Sequence, residues 1–101
     1  MIHHANDDNF KELIARNGTV LIDFYAAWCG PCKAMTPALE AFAAENPDIT
    51  VVKVDVDEAH STALDFKIRS VPTLTVIRGG ALVAQRPGAA NKAQLVALCS
   101  Q

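Results

Sequence analysis

The run Val20-Leu21-Ile22-Asp23-Phe24-Tyr25 constrains this chain more than any other segment. It is rich in β-branched and aromatic residues, and it is apolar at odd and even positions alike except at Asp23. A strand with one wet face alternates apolar and polar residues, whereas a strand apolar on both parities is covered on both faces. Residues Ile49 to Val56 form a second strand of the same continuous type. Two such strands demand helices above and below one sheet, and the intervening segments supply them.

Asp8 to Asn17 places Phe10, Leu13 and Ile14 at helical spacing, with Asn6 or Asp7 able to cap the start and Gly18 to end it. Pro31 to Glu45 carries Met35, Leu39 and Phe42 on one stripe, and Pro37 within it should bend the helix. A shorter helix is expected near Ser61 to Phe66. Thr73 to Ile77 and Ala81 to Gln85 flank Gly79-Gly80, a hairpin signal because both turn residues can adopt positive φ. The last helix begins near Asn91, where Asn91 and Gln94 stand three apart like a capping box, and it buries Leu95, Leu98 and Cys99. A short strand near Ile2 is only weakly indicated. Strands joined by helices are expected to run parallel and the hairpin antiparallel, giving an α/β fold with a mixed central sheet of about five strands and about four helices.

The chain has 101 residues, enough for a single domain over 1–101. Half of its residues are hydrophobic and a fifth are charged, which describes a globular chain. A formal charge of −2 without a Lys/Arg cluster argues against nucleic acid as a partner. No apolar run approaches the ~18–20 residues of a membrane span. Asn6, Asp7, Asp8, Lys11 and Glu12 stand where a signal peptide needs an apolar core. A soluble, cytoplasmic monomer is expected, with a mature exported chain as the alternative.

Three cysteines, Cys29, Cys32 and Cys99, do not describe a disulfide-stapled scaffold. Cys29 lies just beyond the carboxyl end of a buried strand, where a helix starts and where reactive groups gather in such sheets. Disulfide exchange needs one thiolate that attacks and a second thiol that releases the mixed disulfide. Unpaired N–H groups and the dipole at a helix N-terminus favour a thiolate at Cys29, and Lys33 adds positive charge. Gly30 puts no side chain over the first sulfur, and Pro31 suits the opening helical position. Cys32 falls on the same helix face at about 5–6 Å, near the span of a disulfide. Cys29 is therefore expected to be the nucleophile and the more accessible sulfur, and Cys32 the resolving thiol. A closed zinc site usually takes four ligands, and Cys99, His3, His4 and His60 offer no paired spacing, so no metal is expected. Asp23 is either a proton exchanger for Cys32 or a carboxylate satisfied at a strand end. Lys53 poses the same choice between a role beside Asp23 and a place on a surface edge.

Trp28-Cys29-Gly30-Pro31-Cys32-Lys33 after an apolar strand resembles the active-site signature of the thioredoxin family. The element order, Val71-Pro72-Thr73, the Gly-Gly hairpin and Gly88 are similar too, so the resemblance covers nearly the whole chain. It implies a thioredoxin fold and a general protein-disulfide reductase that cycles a Cys29/Cys32 dithiol–disulfide couple. No cofactor is implied beyond that redox-active disulfide. The implied partners are disulfide-containing client proteins and an NADPH-dependent thioredoxin reductase; the chain has no Gly-rich dinucleotide loop of its own.

The resemblance further implies a buried, proton-exchanging Asp23 with Lys53 close to it. It implies a cis Pro72 facing the cysteines, where a bare X-Pro bond would be expected trans. Trp28, Gly30, Pro31, Val71, Pro72 and Gly88 would form the substrate-binding surface, bordered by Val56 and Asp57. Three positions depart from the pattern. Tyr25 stands where many relatives have tryptophan, Pro87 where they carry a branched apolar residue, and Cys99 has no counterpart and is expected in the core. An oxidase or isomerase of the same fold, and a non-catalytic binding subunit using the same apolar patch, are the alternatives.

Overall fold

The computed structural model describes residues 1–16 and 18–101; Asn17, the last residue of the expected first helix, lies outside them. In chain order the elements are β1 (Ile2–Ala5), α1 (Phe10–Ile14), β2 (Thr19–Tyr25), α2 (Gly30–Glu45), β3 (Thr50–Asp55), α3 (His60–Asp65), β4 (Thr73–Arg78), β5 (Ala81–Pro87) and α4 (Lys92–Cys99). The strands form one sheet in the order β1-β3-β2-β4-β5. Among the described residues this is the mixed five-stranded sheet with four helices that the residue pattern implied.

One expectation about strand direction is overturned. β1, β3 and β2 are parallel, but β4 runs antiparallel to β2 although α3 joins it to β3. Six helical residues span about 9 Å, less than half the length of about 20 Å of β3. The chain after α3 stays at the carboxyl end of β2, where Val71 lies beside Cys29, and re-enters the sheet from that end. The hairpin β4–β5 is antiparallel as expected, with a register shift at Val76/Ile77.

β2 is the central strand, and Val20 to Phe24 are all buried. Its side chains alternate between two cores. Leu21 joins Met35, Leu39 and Phe42 of α2 and Leu95 and Leu98 of α4. Val20, Ile22 and Phe24 join Phe10 and Leu13 of α1 and Ala59 before α3. Phe66 stacks edge-on against Phe10 at 5.3 Å and tilted against Phe24 at 5.4 Å, which ties the end of α3 to this second core.

The start of α1 departs from the expected cap: its N-cap is Asn9, not Asn6 or Asp7. Asn6 accepts from the N–H groups of Asp8 and Asn9 in a turn ahead of α1. Asp7 instead reaches α3, where one carboxylate oxygen accepts from both the backbone N–H and the hydroxyl of Thr62. These bonds, led by the Thr62 hydroxyl, hold the Asp7 carboxyl below the usual carboxylate range. Asn91 and Gln94 close the predicted capping box. After α3, Lys67 takes the left-handed conformation (φ 56°), and the N–H groups of Lys67 and Ile68 return to Leu64 and Ala63. That turn directs residues 68–71 past the cysteine pair.

Phe42 is fully buried between α2 and the sheet, so Phe42→Ala is expected to lower the unfolding free energy by about 3–5 kcal/mol. Val83→Ala on β5, at a half-exposed site, is expected to stay within about 0.5 kcal/mol. Urea denaturation of both variants checks the contrast.

Candidate active site

Cys29 is the N-cap residue of α2, with an extended backbone (φ −87°, ψ 111°), and its sulfur fills the place of a capping oxygen. The backbone N–H of Cys32 donates to Cys29 Sγ at 3.1 Å. A helix N-terminus leaves its first N–H groups without intrahelical partners, so a sulfur there meets donors and the positive end of the helix dipole. α2 opens at Gly30, so Pro31 is its second residue and not its first; neither position requires the missing N–H. The helix continues through Pro37 to Glu45.

Cys29 and Cys32 are joined in a disulfide, with Cα atoms 5.3 Å apart, and Cys99 is free and buried. Cys29 was expected to be the more exposed of the pair, yet both residues are only 4% exposed. Ala26 shares a small apolar cluster with the two cysteines, and Tyr25, Val56 and Val71 pack against that cluster. What separates them is electrostatic: among the described residues the sulfur of Cys29, and not that of Cys32, accepts a backbone N–H. Cys29 Sγ also lies 3.8 Å from the carbonyl oxygen of Val71.

Asp23 is 1% exposed and shares the face of Leu21, toward α2. Among the described residues its Oδ1 has no hydrogen-bond partner. Burial pushes its carboxyl up to about 6, against the downward pull of Lys53. Lys53 stands opposite Asp23 in the β2–β3 register. Because β3 lies between β1 and β2, Lys53 is not on a sheet edge, and its side chain is half-buried. Its ammonium sits 4.4 Å from the centre of the Tyr25 ring. Tyr25, Cys32, Lys33, Thr36 and Lys53 line an open cleft of about 360 Å³ on this side.

Around Cys29 three chain segments converge. Trp28 is 71% exposed, and its indole N–H donates to Asp57 at 2.9 Å, so the ring is tethered by a carboxylate that the sequence placed only at the border. Trp28, Val56, Ile68 and Val71 line a shallow apolar groove of about 150 Å³. Val71-Pro72 is cis, and Gly88, in the left-handed region at φ 93°, donates its N–H to the Pro72 carbonyl at 2.8 Å. On the far side of Pro31 a second groove of about 430 Å³ runs along α2 to Ala89 and Ala90. Residues 68–70 and 89–90 were missed by sequence reasoning. Nothing in Ile-Arg-Ser or Ala-Ala marks them, because their place depends on the Lys67 turn and on Gly88.

Cys99 is a core residue of α4, and burial pushes its thiol up to about 11. The described residues contain no cluster of three or more His, Cys, Asp or Glu side chains placed to hold a metal. No described helix is long and apolar enough to cross a membrane.

The thioredoxin family model matches residues 1–101. Thioredoxin of Chlamydia trachomatis is 44% identical over 101 residues, covering 100% of this chain and 98% of that protein. Oxidised mitochondrial thioredoxin 3 of Saccharomyces cerevisiae has a similar structure, with a TM-score of 0.89 at 36% identity, covering 99% of this chain and 95% of that one. A chain from a study of thiol resolution in yeast mitochondrial 1-Cys peroxiredoxin via glutathione/thioredoxin systems matches equally well, with a TM-score of 0.89 at 35% identity over 99% of this chain and 95% of that one.

The raised carboxyl of Asp23 sets a pH dependence. Its folded value lies above the unfolded one, so its contribution to stability is whole below about pH 4 and is lost as the pH rises through about 6. Asp23→Asn carries no charge at any of these values. Its stability relative to wild type is expected to improve between about pH 4 and pH 8, by an amount on the order of 2–3 kcal/mol. Thermal unfolding of the two oxidised proteins across that range measures it, and parallel curves would contradict the burial penalty.

Proposed function

The chain belongs to the thioredoxin family, and on that premise we propose how its residues divide the work of a protein-disulfide reductase. The protein is a thiol–disulfide oxidoreductase acting through the Cys29–Cys32 couple. In the reduced protein the Cys29 thiolate attacks one sulfur of a client disulfide, and the other client sulfur leaves as a thiolate. Cys32 then loses its proton and attacks Cys29 Sγ. The second client sulfur leaves, the client has gained two electrons, and the protein holds the Cys29–Cys32 disulfide. The single observation that supports Cys29 as nucleophile is its place as N-cap of α2, with the N–H of Cys32 aimed at its sulfur.

Asp23 accepts the proton of Cys32. A buried carboxyl pushed up to about 6 is matched to that task near neutral pH, where a surface aspartate would be too weak a base. Lys53 biases the same proton through its positive charge. Trp28, Gly30, Pro31, Val71, Pro72 and Gly88 receive the client around Cys29, with the backbone of Val71 offered to an extended client segment. Disulfide-containing proteins are the clients, and an NADPH-dependent thioredoxin reductase returns two electrons to the couple. The whole of 1–101 acts as one domain, as a cytoplasmic monomer with no nucleic acid or membrane partner. The dithiol and the buried Asp23 favour exchange over a purely binding role.

Reduction of insulin by dithiothreitol tests the assignment. Cys29→Ser is expected to abolish the acceleration, whereas Cys32→Ser is expected to accumulate a covalent adduct with the client. Wild-type turbidity onset in the Cys29 variant would remove the enzymatic function. In the reduced wild type, iodoacetamide at neutral pH is expected to consume Cys29 before Cys32, and the opposite order, read by peptide mass, would reverse their roles.

A further inference from the structure

Lys53 is the residue through which the sheet speaks to Asp23, yet its ammonium is not in contact with that carboxylate. Among the described residues the one ion pair within 4.0 Å is Lys92–Glu45, at 2.8 Å on the surface. The ammonium of Lys53 rests over the Tyr25 ring instead, 4.4 Å from its centre. We propose that Tyr25 is a positioning residue for deprotonation of Cys32: its ring face holds the Lys53 ammonium beside Asp23 but apart from it. The proposal deepens the function given above and rests on Asp23 as the acceptor of the Cys32 proton.

The strand register leaves the lysine few choices. Lys53 pairs with Asp23 on the adjacent strand, and Tyr25 follows two residues on, on the same face. β3 is held on both sides by β1 and β2, so the backbone of Lys53 is fixed and its side-chain torsions decide where the charge lies. The face of an aromatic ring attracts an ammonium, more strongly where water is partly excluded. Without the ring, the ammonium has two exits. Lys53 lines the cleft of about 360 Å³ beside Cys32 and also a second opening of about 450 Å³, where it shares the wall with His4 and Glu40. Hydration and the Glu40 carboxylate would draw the charge outward there.

The other groups around Asp23 do not replace this hold. α2 presents Cys32, Lys33 and Glu40 on that side, while β4 offers only apolar Leu74 opposite Asp23. Asp55 and Glu58 act on Tyr25 itself. Burial first, and then Asp55, Glu58 and Asp23, hold the proton on the Tyr25 phenol, so the ring acts through its face and not as a counter-ion. The hydroxyl is therefore dispensable and the ring is not.

The test follows the Asp23 carboxyl carbon by NMR as the oxidised protein is titrated, where neither Cys29 nor Cys32 can titrate. Tyr25→Phe is expected to keep the wild-type midpoint. Tyr25→Leu is expected to raise it by about half a pH unit. In a Lys53→Met background, Tyr25→Leu is expected to add nothing. Replacing the Tyr25 ring with a pentafluorophenyl ring keeps the shape and reverses the charge of the face; it should raise the midpoint as Tyr25→Leu does, and it serves if that variant does not fold. An unchanged or lowered midpoint in the altered-ring variants, or the same rise without Lys53, overturns the proposal. Failure of Asp23 as acceptor shows elsewhere, as wild-type resolution of the mixed disulfide by Asp23→Asn, and leaves this titration untouched.

Discussion

The seating of one helix end on one strand end underlies everything else in this molecule. α2 is pressed onto the sheet by Met35, Leu39 and Phe42, and its first turn is thereby fixed beyond the carboxyl end of β2. Cys29 becomes the cap residue because the chain must leave the strand and enter the helix there. Its sulfur then meets a backbone N–H that the helix cannot use. The chemical distinction between two cysteines of equal burial comes from that placement. A helix displaced along the sheet would leave the same residues in the chain and remove the reason for the different roles proposed for them.

Asp23 shows how the same arrangement sets stability against chemistry. A carboxyl among Leu21, Leu74 and the body of α2 costs free energy as soon as it ionises, since Oδ1 finds no donor among the described residues. An apolar residue would suit the core better. The burial that makes the site costly also brings its proton affinity near neutrality, which is where a thiol needs a partner for its proton. Lys53 offsets part of the penalty from the neighbouring strand without closing an ion pair.

In the proposed function a client is received by segments far apart in the chain. Trp28 is steadied by Asp57, Val71 reaches the first sulfur, and Gly88 is tied to the carbonyl of Pro72. These contacts join three loops at the end of the sheet where the carboxyl terminus of β2 lies. The resulting grooves on the two sides of the Cys29 loop are apolar and shallow, suited to an extended segment and not to a small enclosed molecule.

Much of this is legible in the residue order alone. Periodicity marked the buried strands and the helix stripes, because burial on two faces or one stripe is written in residue order. The Gly-Pro-filled cysteine pair at a strand–helix junction carried its chemistry in its spacing, since three residues on a helix span the reach of a disulfide. The odd carboxylate in β2 announced itself by breaking an apolar run. The direction of β4, the partner of Asp7, the equal burial of the two cysteines and the place of the Lys53 ammonium were not legible. Each depends on which strands become neighbours and in what register, which is decided by packing across the whole core. Local order in the chain determined the elements and the reactive pair; only the closed sheet decided which distant groups would share the space around them.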